Sequence, residues 1–448
     1  MTETGHNSIG HNSAELFARA KRVFGDGTTR ATIERDPIPR YITGGKGAYV
    51  TDVDGRRFLD LNGNFTTLIH GHGFEPVIEA VSRQIRSGSC FANPTRHEIA
   101  LAELMVERVP GMDWIRFVNT GTEAVLFAVK AARAYTGRPA IAKIEGAYHG
   151  AYDWAEVSQA SGPTTWGDPL APSAVGNYRG MPASVLHEVV PLRFNDVEGC
   201  RRLLEKNAHR LAALIIDPVP SRAGLITPDP EFVETINATA RKLGIVLIAD
   251  EVLNFRQGYE GASARHGFRP DLFTFGKIIG GGLPIGAIGG SKEVMSVFGT
   301  GEQRAPLPAG GTFSANPLSM VAGLASMTAL GQAAFEHLGS LGDRLRSRLR
   351  EEIARRDAPF SVTGVASLFR IHPKRQAPKE FRDTALSGAQ SATMTALTRA
   401  FAASGVILPN GAAACLSTPM TDNDIHLVGD VFAEFLSTHS HVFESHTA

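Results

Sequence analysis

The chain has 448 residues, of which 43% are hydrophobic and 20% charged, the make-up of an ordinary globular protein. That length exceeds what one compact core normally uses and predicts two or three domains. Lys plus Arg equals Asp plus Glu at 45 each, so no polyanionic partner, nucleic acid above all, is expected. Cys90, Cys200 and Cys415 are too few and too scattered for a disulfide framework or a zinc site. No apolar run approaches the roughly 20 residues of a membrane-spanning helix, and the N-terminus shows no basic-then-apolar leader. A reduced cytoplasmic protein, with neither metal nor membrane contact, is the expectation.

Residues 1–13 carry a short duplication, Gly5-His-Asn-Ser8 and Gly10-His-Asn-Ser13. Histidines this close could take a metal, but the polar composition predicts a solvated, disordered tail. An amphipathic stretch starts at Ala14. Ala48–Asp52 and Arg57–Leu61 then flank Asp54-Gly55, a hairpin signal. From about residue 114 short apolar runs alternate with helical stretches. Strands are predicted at Trp114–Val118, Ile141–Ile144, Leu211–Ile216, Ile245–Ala249, Leu272–Phe275 and Ile285–Ile288, and helices at Thr122–Tyr135 and Glu231–Leu243. Such alternation predicts an α/β fold with a mostly parallel sheet flanked by helices. Beyond about residue 335 the pattern becomes helix, irregular strands, helix (Leu341–Arg355, Ser361–His372, Ala389–Ala403, Ala413–Ser417, Asp424–Ser437), a smaller α+β domain.

Three segments carry chemistry. Asn119-Thr-Gly-Thr-Glu-Ala124 follows a strand and opens a helix. Its free N–H groups, the helix dipole and the hydroxyls of Thr120 and Thr122 suit a phosphate; a plain helix cap by Asn119 or Thr120, with Glu123 close behind, is the alternative. Asp250-Glu251 ends an apolar strand, where ligands bind in open α/β sheets, though a structural ion pair would look the same. Lys277 follows another apolar strand within a glycine-rich turn. Desolvation there would lower its pKa and make it a usable amine nucleophile; a surface lysine at a strand end is the commoner outcome. Taken in order, a phosphate cradle, a carboxylate and a lysine 27 residues later are the parts that pyridoxal 5′-phosphate (PLP) requires.

With Ala48–Gly55, Gly71-His72-Gly73, Asn119–Ala124, Tyr148-His149-Gly150, Asp250-Glu-Val252, Phe275-Gly-Lys277 and Gly311–Pro317 taken jointly, the sequence resembles the class III (omega-type) aminotransferases of PLP fold type I, from about Arg30 to Asp424. Within them it is similar to glutamate-1-semialdehyde aminomutases and to aminotransferases for β-amino acids or arylglycines. The resemblance implies that Lys277 carries the cofactor as a Schiff base and later shuttles a proton, and that Asp250 pairs with the ring nitrogen. It implies that Tyr148 and Val252 cover the two ring faces, and that Gly121 and Thr122 bind phosphate with Thr120 beside them. Thr312 is implied to reach the phosphate of the neighbouring subunit in a homodimer with shared active sites. The implied plan is a tail (1–13), an N-terminal segment packing with the small domain (14–75), a large PLP-binding domain (76–330) and a C-terminal small domain (331–448).

Departures bear on the substrate. Asp217-Pro218 stands where relatives commonly have Glu-Pro, so its contacts must be re-spaced. Arg30, nine residues before Pro39, matches an arginine that grips the substrate carboxylate, with Arg40 and Arg256 as rivals. Phe65 replaces a pocket tryptophan of the mutases. Pro409–Ala414 lacks the glutamate that mutases carry, and Asp250–Arg256 is one residue short. The implied activity is transfer of an amino group between a carboxylate-bearing amino compound, β-amino or aromatic among the options, and a keto acid. The alternative is an isomerase, either a 2,1-aminomutase or a racemase.

Overall fold

The computed structural model describes residues 10–30, 32–35, 37–299, 301 and 304–443. Its centre is a seven-stranded sheet. In spatial order the strands are Trp114–Val118, Gly286–Gly290, Leu272–Gly276, Val246–Asp250, Leu211–Ile216, Ala140–Ile144 and Val189–Leu192. Gly286–Gly290 runs antiparallel to both its neighbours, and the other pairings are parallel.

The alternation of side chains across a strand explains why both faces are covered. Ile141, Ala213, Ile215, Val246 and Ile248 point into one core with Ala124, Val125, Ala128 and Val129 of the helix Gly121–Thr136. Ala142, Leu214, Leu247, Ala249 and Phe275 point into the other, with Phe232 and Ile236 of the helix Pro230–Leu243. Alanines dominate the buried stripe of Gly121–Thr136, so that helix can lie close to the sheet. Gly286 has a second reason for its lack of side chain. A Cβ there would sit 2.0 Å from the carbonyl oxygen of Thr120, so glycine is what lets the Asn119–Gly121 loop rest on the strand end.

The predicted hairpin is present as Tyr49–Asp52 paired antiparallel with Arg57–Asp60. Ile42–Lys46 extends it on one side, and Val406–Ile407, from far along the chain, pairs parallel with Arg57–Asp60 on the other. The C-terminal part has the helices Gln332–Arg355, Gly388–Ala403 and Asp422–Thr438, and a small antiparallel sheet of Ser361–Thr363, Leu368–His372 and Ala414–Cys415. Tyr49 Oη donates to Asp424, tying this part to the hairpin a second time.

The structure differs from the expectation of a solvated tail through Ser13. His11–Ala20 is a helix, with Ser13 buried, Asn12 N donating to Asp54 Oδ1 at 3.1 Å and Ser13 Oγ donating to Asp54 Oδ2. The second repeat is ordered because its polar groups find the acid of the hairpin turn; the first lies outside the described residues. Among the described residues no single helix is long and apolar enough to cross a membrane. Nor do three His, Cys, Asp or Glu side chains there gather as a metal site.

Candidate active site

A cavity of about 480 Å³ opens at the carboxyl ends of the central strands, where a parallel sheet presents its loops. Asp250 and Lys277 both line it, together with Asn119–Thr122, Tyr148–Gly150, Asp217, Val252, Arg30 and Arg222. The register Asp250↔Thr274 puts the carboxylate one strand over and three residues before the lysine.

Asp250 is fixed on both oxygens. Oδ1 accepts from Thr274 Oγ1 at 2.9 Å and from the Val252 N–H at 3.1 Å, and Oδ2 meets His149 Nδ1 at 2.7 Å. His149 is fully buried, and burial pushes its pKa down. Its Nε2 has no hydrogen-bond partner. Glu251, one residue on and therefore facing away, accepts from the N–H groups of Ala262 and Ser263 and from Ser263 Oγ. Of the two strand-end acids, one serves the cavity and the other caps a short helix.

Lys277 has φ +50°, a left-handed conformation that costs a non-glycine residue free energy and is often found at functional sites. Burial lowers its pKa from the usual amine range, with Asp250 and Asp217 opposing. Asp217 is itself pushed well above the usual carboxylate range, first by burial and then by Asp250. It accepts from the Val219 N–H at 3.1 Å and from Asn254 Nδ2. The acid shorter by a methylene thus meets an asparagine of the segment shorter by a residue.

The helix Gly121–Thr136 begins at the cavity. Thr120 Oγ1 accepts from the Glu123 N–H at 3.0 Å, and the Glu123 carboxylate accepts from Asn119 N and Nδ2. The capping alternative is therefore real, but it leaves the N–H groups of Gly121 and Thr122 without an acceptor among the described residues. A Cβ on Gly121 would lie 2.9 Å from Val252 Cγ1, and one on Gly276 3.3 Å from the same carbon. Glycine at both places lets Val252 form one wall of the cavity. Tyr148 stands on the rim, 45% exposed, with its pKa raised by its partial burial.

The substrate candidates divide. Arg30 lines the cavity, and its Nη1 donates to Asn64 Oδ1 at 3.0 Å. Arg256 is wholly buried, each of its nitrogens already bonded, to Ser367 Oγ, Thr66 O and Leu416 O. Arg40 lies 3.8 Å over the Phe58 ring and 3.9 Å from Asp52. Both rivals are occupied elsewhere. Phe65 is not among the lining residues: it lies 5.9 Å from the Arg30 guanidinium, while Asn64 and Thr67 form that part of the wall. The cause is the run Gly63–Thr66, four successive residues at positive φ, which turns Phe65 aside. Thr312 is not in this cavity either. It is exposed in a separate groove of about 590 Å³ beside Phe91 and Asn93.

His149 and Asn254 make contacts that sequence patterns did not assign. Both lie inside segments the sequence marks, His149 in Tyr148–Gly150 and Asn254 in Asp250–Arg256, but neither residue type signals by itself a partner so distant in the chain.

The cofactor fits these residues: a buried acid with an orphaned histidine nitrogen behind it, unpaired helix N–H groups, and two glycine positions a Cβ would fill. A family model for class-III aminotransferases matches residues 31–433. Among curated relatives, glutamate-1-semialdehyde 2,1-aminomutase of Methanothermobacter thermautotrophicus is 37% identical over 80% of this chain and 83% of its own. Among solved structures, an omega-transaminase from Sphaerobacter thermophilus superposes with a TM-score of 0.93 at 45% identity, covering 96% of this chain and 98% of that one. A β-phenylalanine aminotransferase from Variovorax paradoxus gives a TM-score of 0.84 at 28% identity, over 96% and 94%. The chain belongs to the class-III aminotransferases, PLP-dependent enzymes of fold type I.

Proposed function

We propose that this enzyme transfers an amino group from a carboxylate-bearing amino compound, β-amino or aromatic amino acids included, to a keto acid. The observation that carries this reading is the convergence of Lys277, Asp250 and the open N-terminus of Gly121–Thr136 on a cavity that Arg30 also lines. The N–H groups of Gly121 and Thr122 and the Thr122 hydroxyl would hold the phosphate. Val252 and Tyr148 would enclose the ring, and Asp250, steadied by His149, Thr274 and Val252, would keep the ring nitrogen protonated. Bound there, PLP withdraws electrons and acidifies the C–H bond beside the amino nitrogen. Lys277 Nζ, with its basicity lowered by burial, then takes and returns that proton. Arg30 would orient the substrate by its carboxylate.

Transfer is preferred to isomerisation because Pro409–Ala414 offers no acid to the cavity. The 2,1-aminomutase remains the second reading, favoured by the relative at 37% identity. Incubating the holoenzyme with single amino compounds separates them. A transferase stops after one turnover, its absorption moved from the visible to the near-ultraviolet, and resumes only when a keto acid is added. Sustained turnover of one substrate alone would overturn this choice. The same proposal includes a homodimer in which Thr312 completes the partner's phosphate site. Its three free thiols suit a reducing compartment such as the cytoplasm.

A further inference from the structure

Two aspartates end neighbouring strands at the cavity. Leu211–Ile216 and Val246–Asp250 pair in parallel with Ile216 opposite Ala249, so Asp217 and Asp250 stand side by side, one strand spacing of about 4.8 Å apart. Two carboxylates so close and so buried do not both stay ionised; one keeps a proton. Their surroundings decide which. Asp250 receives three donors spread over both its oxygens, so it is the anion. Asp217 receives donors on Oδ1 alone, from the Val219 N–H and Asn254 Nδ2. Asn254 is held in that sense by Gln257, whose Nε2 donates to Asn254 Oδ1 while its Oε1 meets His266 Nε2 at 2.9 Å. Asp217 Oδ2 has no partner among the described residues, although the residue lines the cavity. A proton on Asp217 therefore belongs on Oδ2, as an O–H free to donate to a ligand. Burial and Asp250 favour that neutral form and Lys277 opposes it, while Arg222, further along the same loop, lies beside the Tyr148 ring.

The sheet order identifies what this hydrogen would meet. The open N–H groups of Gly121 and Thr122 follow the strand Trp114–Val118 and rest against the end of Gly286–Gly290, on one side of Asp250; Asp217 lies on the other. PLP carries its phosphate arm and its ring oxygen on opposite sides of the line from the ring nitrogen to the reactive carbon. With the nitrogen at Asp250 and the phosphate at Gly121 and Thr122, the ring oxygen faces Asp217. We propose that Asp217 is an un-ionised acid that donates from Oδ2 to the ring oxygen of the cofactor, a catalytic residue beside Lys277 and Asp250. This deepens the amino-transfer reading above and rests on its placement of the cofactor. The ring oxygen shares a proton with the nitrogen that joins Lys277 to the cofactor. A donor to that oxygen stabilises its negative charge and eases loss of the shared proton.

Two measurements on the holoenzyme test this. Infrared difference spectra at neutral pH, wild type minus Asp217→Asn, should show the carbonyl stretch of one un-ionised carboxyl group. The second follows the visible absorption of the bound cofactor against pH. Asp217→Asn keeps an oxygen for Val219 and Asn254 and offers an N–H in place of the O–H, so its midpoint should stay near that of the wild type. Asp217→Leu removes the donor and should raise the midpoint by about one pH unit, the equivalent of one hydrogen bond. Were Asp217 ionised, its charge would oppose loss of the shared proton, and both variants would lower the midpoint. A midpoint lowered in either variant, one unmoved in Asp217→Leu, or a missing infrared band would each overturn the proposal. Should Asp217→Leu fail to fold, the band and the Asp217→Asn midpoint decide alone. A midpoint that persists in Lys277→Ala would sink the cofactor placement first, and the proposal with it. No substrate enters either measurement, so failure of every keto acid to accept the amino group would count against amino transfer alone.

Discussion

Asp250 is held by three donors before any ligand arrives: the Thr274 hydroxyl, the Val252 N–H and the His149 ring. A carboxylate so constrained cannot turn away, and its charge is aimed at the cavity. His149 must have Nδ1 protonated to donate to it, which leaves the unpartnered Nε2 as the bare nitrogen of a neutral ring. Asp250→Asn keeps the shape and removes the charge that would retain a proton on the ring nitrogen. We expect it to fold, somewhat less stably because one of the buried donors loses its acceptor, and to lose about 100-fold or more in kcat, the scale of a removed electrostatic stabiliser. Steady-state rates of a soluble, cofactor-loaded variant check this, and near-normal turnover would remove Asp250 from that role. At this scale the sequence announced Lys277 and Asp250 because strand ends and flanking glycines are local signals. Asn254 was silent, for its meaning depends on Asp217, which lies 37 residues away in the chain.

Six of the seven central strands were legible as apolar runs, each within a residue or two of its observed span. Val189–Leu192 was not: four residues interrupted by Pro191 give no run long enough to stand out, and its place at the sheet edge is what tolerates a proline. Its neighbour Ala140–Ile144 holds a different surprise, for Lys143 is fully buried in it. The ammonium donates to the carbonyls of Ile144, Ala147 and Val157, the last at 2.8 Å. Burial brings its pKa down to about 7 from 10.5. Between those two values the unfolded chain binds a proton that the folded chain does not, so this residue makes stability rise with pH across the window and fall as pH drops through its lower end. Lys143→Met should remove that contribution. The melting temperature of the wild type relative to the variant should therefore climb from neutral to alkaline pH. A difference that stays flat across the window would show that Lys143 keeps its charge in the fold.

A single chain has the cofactor cavity and Thr312 in separate places. Thr312 is exposed in a groove whose neighbours include Phe91, 50% exposed, and the next residue, Phe313, is 58% exposed. Large apolar side chains left open beside a polar hydroxyl are what an interface buries. If the dimer places Thr312 against the phosphate of the opposite subunit, each site is complete only in the pair, and cofactor binding favours the dimer by linkage. Thr312→Ala should then weaken cofactor retention about ten-fold, the worth of one charge-assisted hydrogen bond. The decisive arrangement mixes a Thr312→Ala chain with a Lys277→Ala chain. In shared sites the first chain's lysine meets the second chain's intact threonine, while the other site carries both defects. One sound site in two should restore activity at limiting cofactor to about half that of the wild-type dimer. If each chain instead used its own Thr312, no site in the mixture would be whole. Mixed dimers that form, as judged by exchange of differently tagged chains, yet recover no activity at limiting cofactor would refute the shared site.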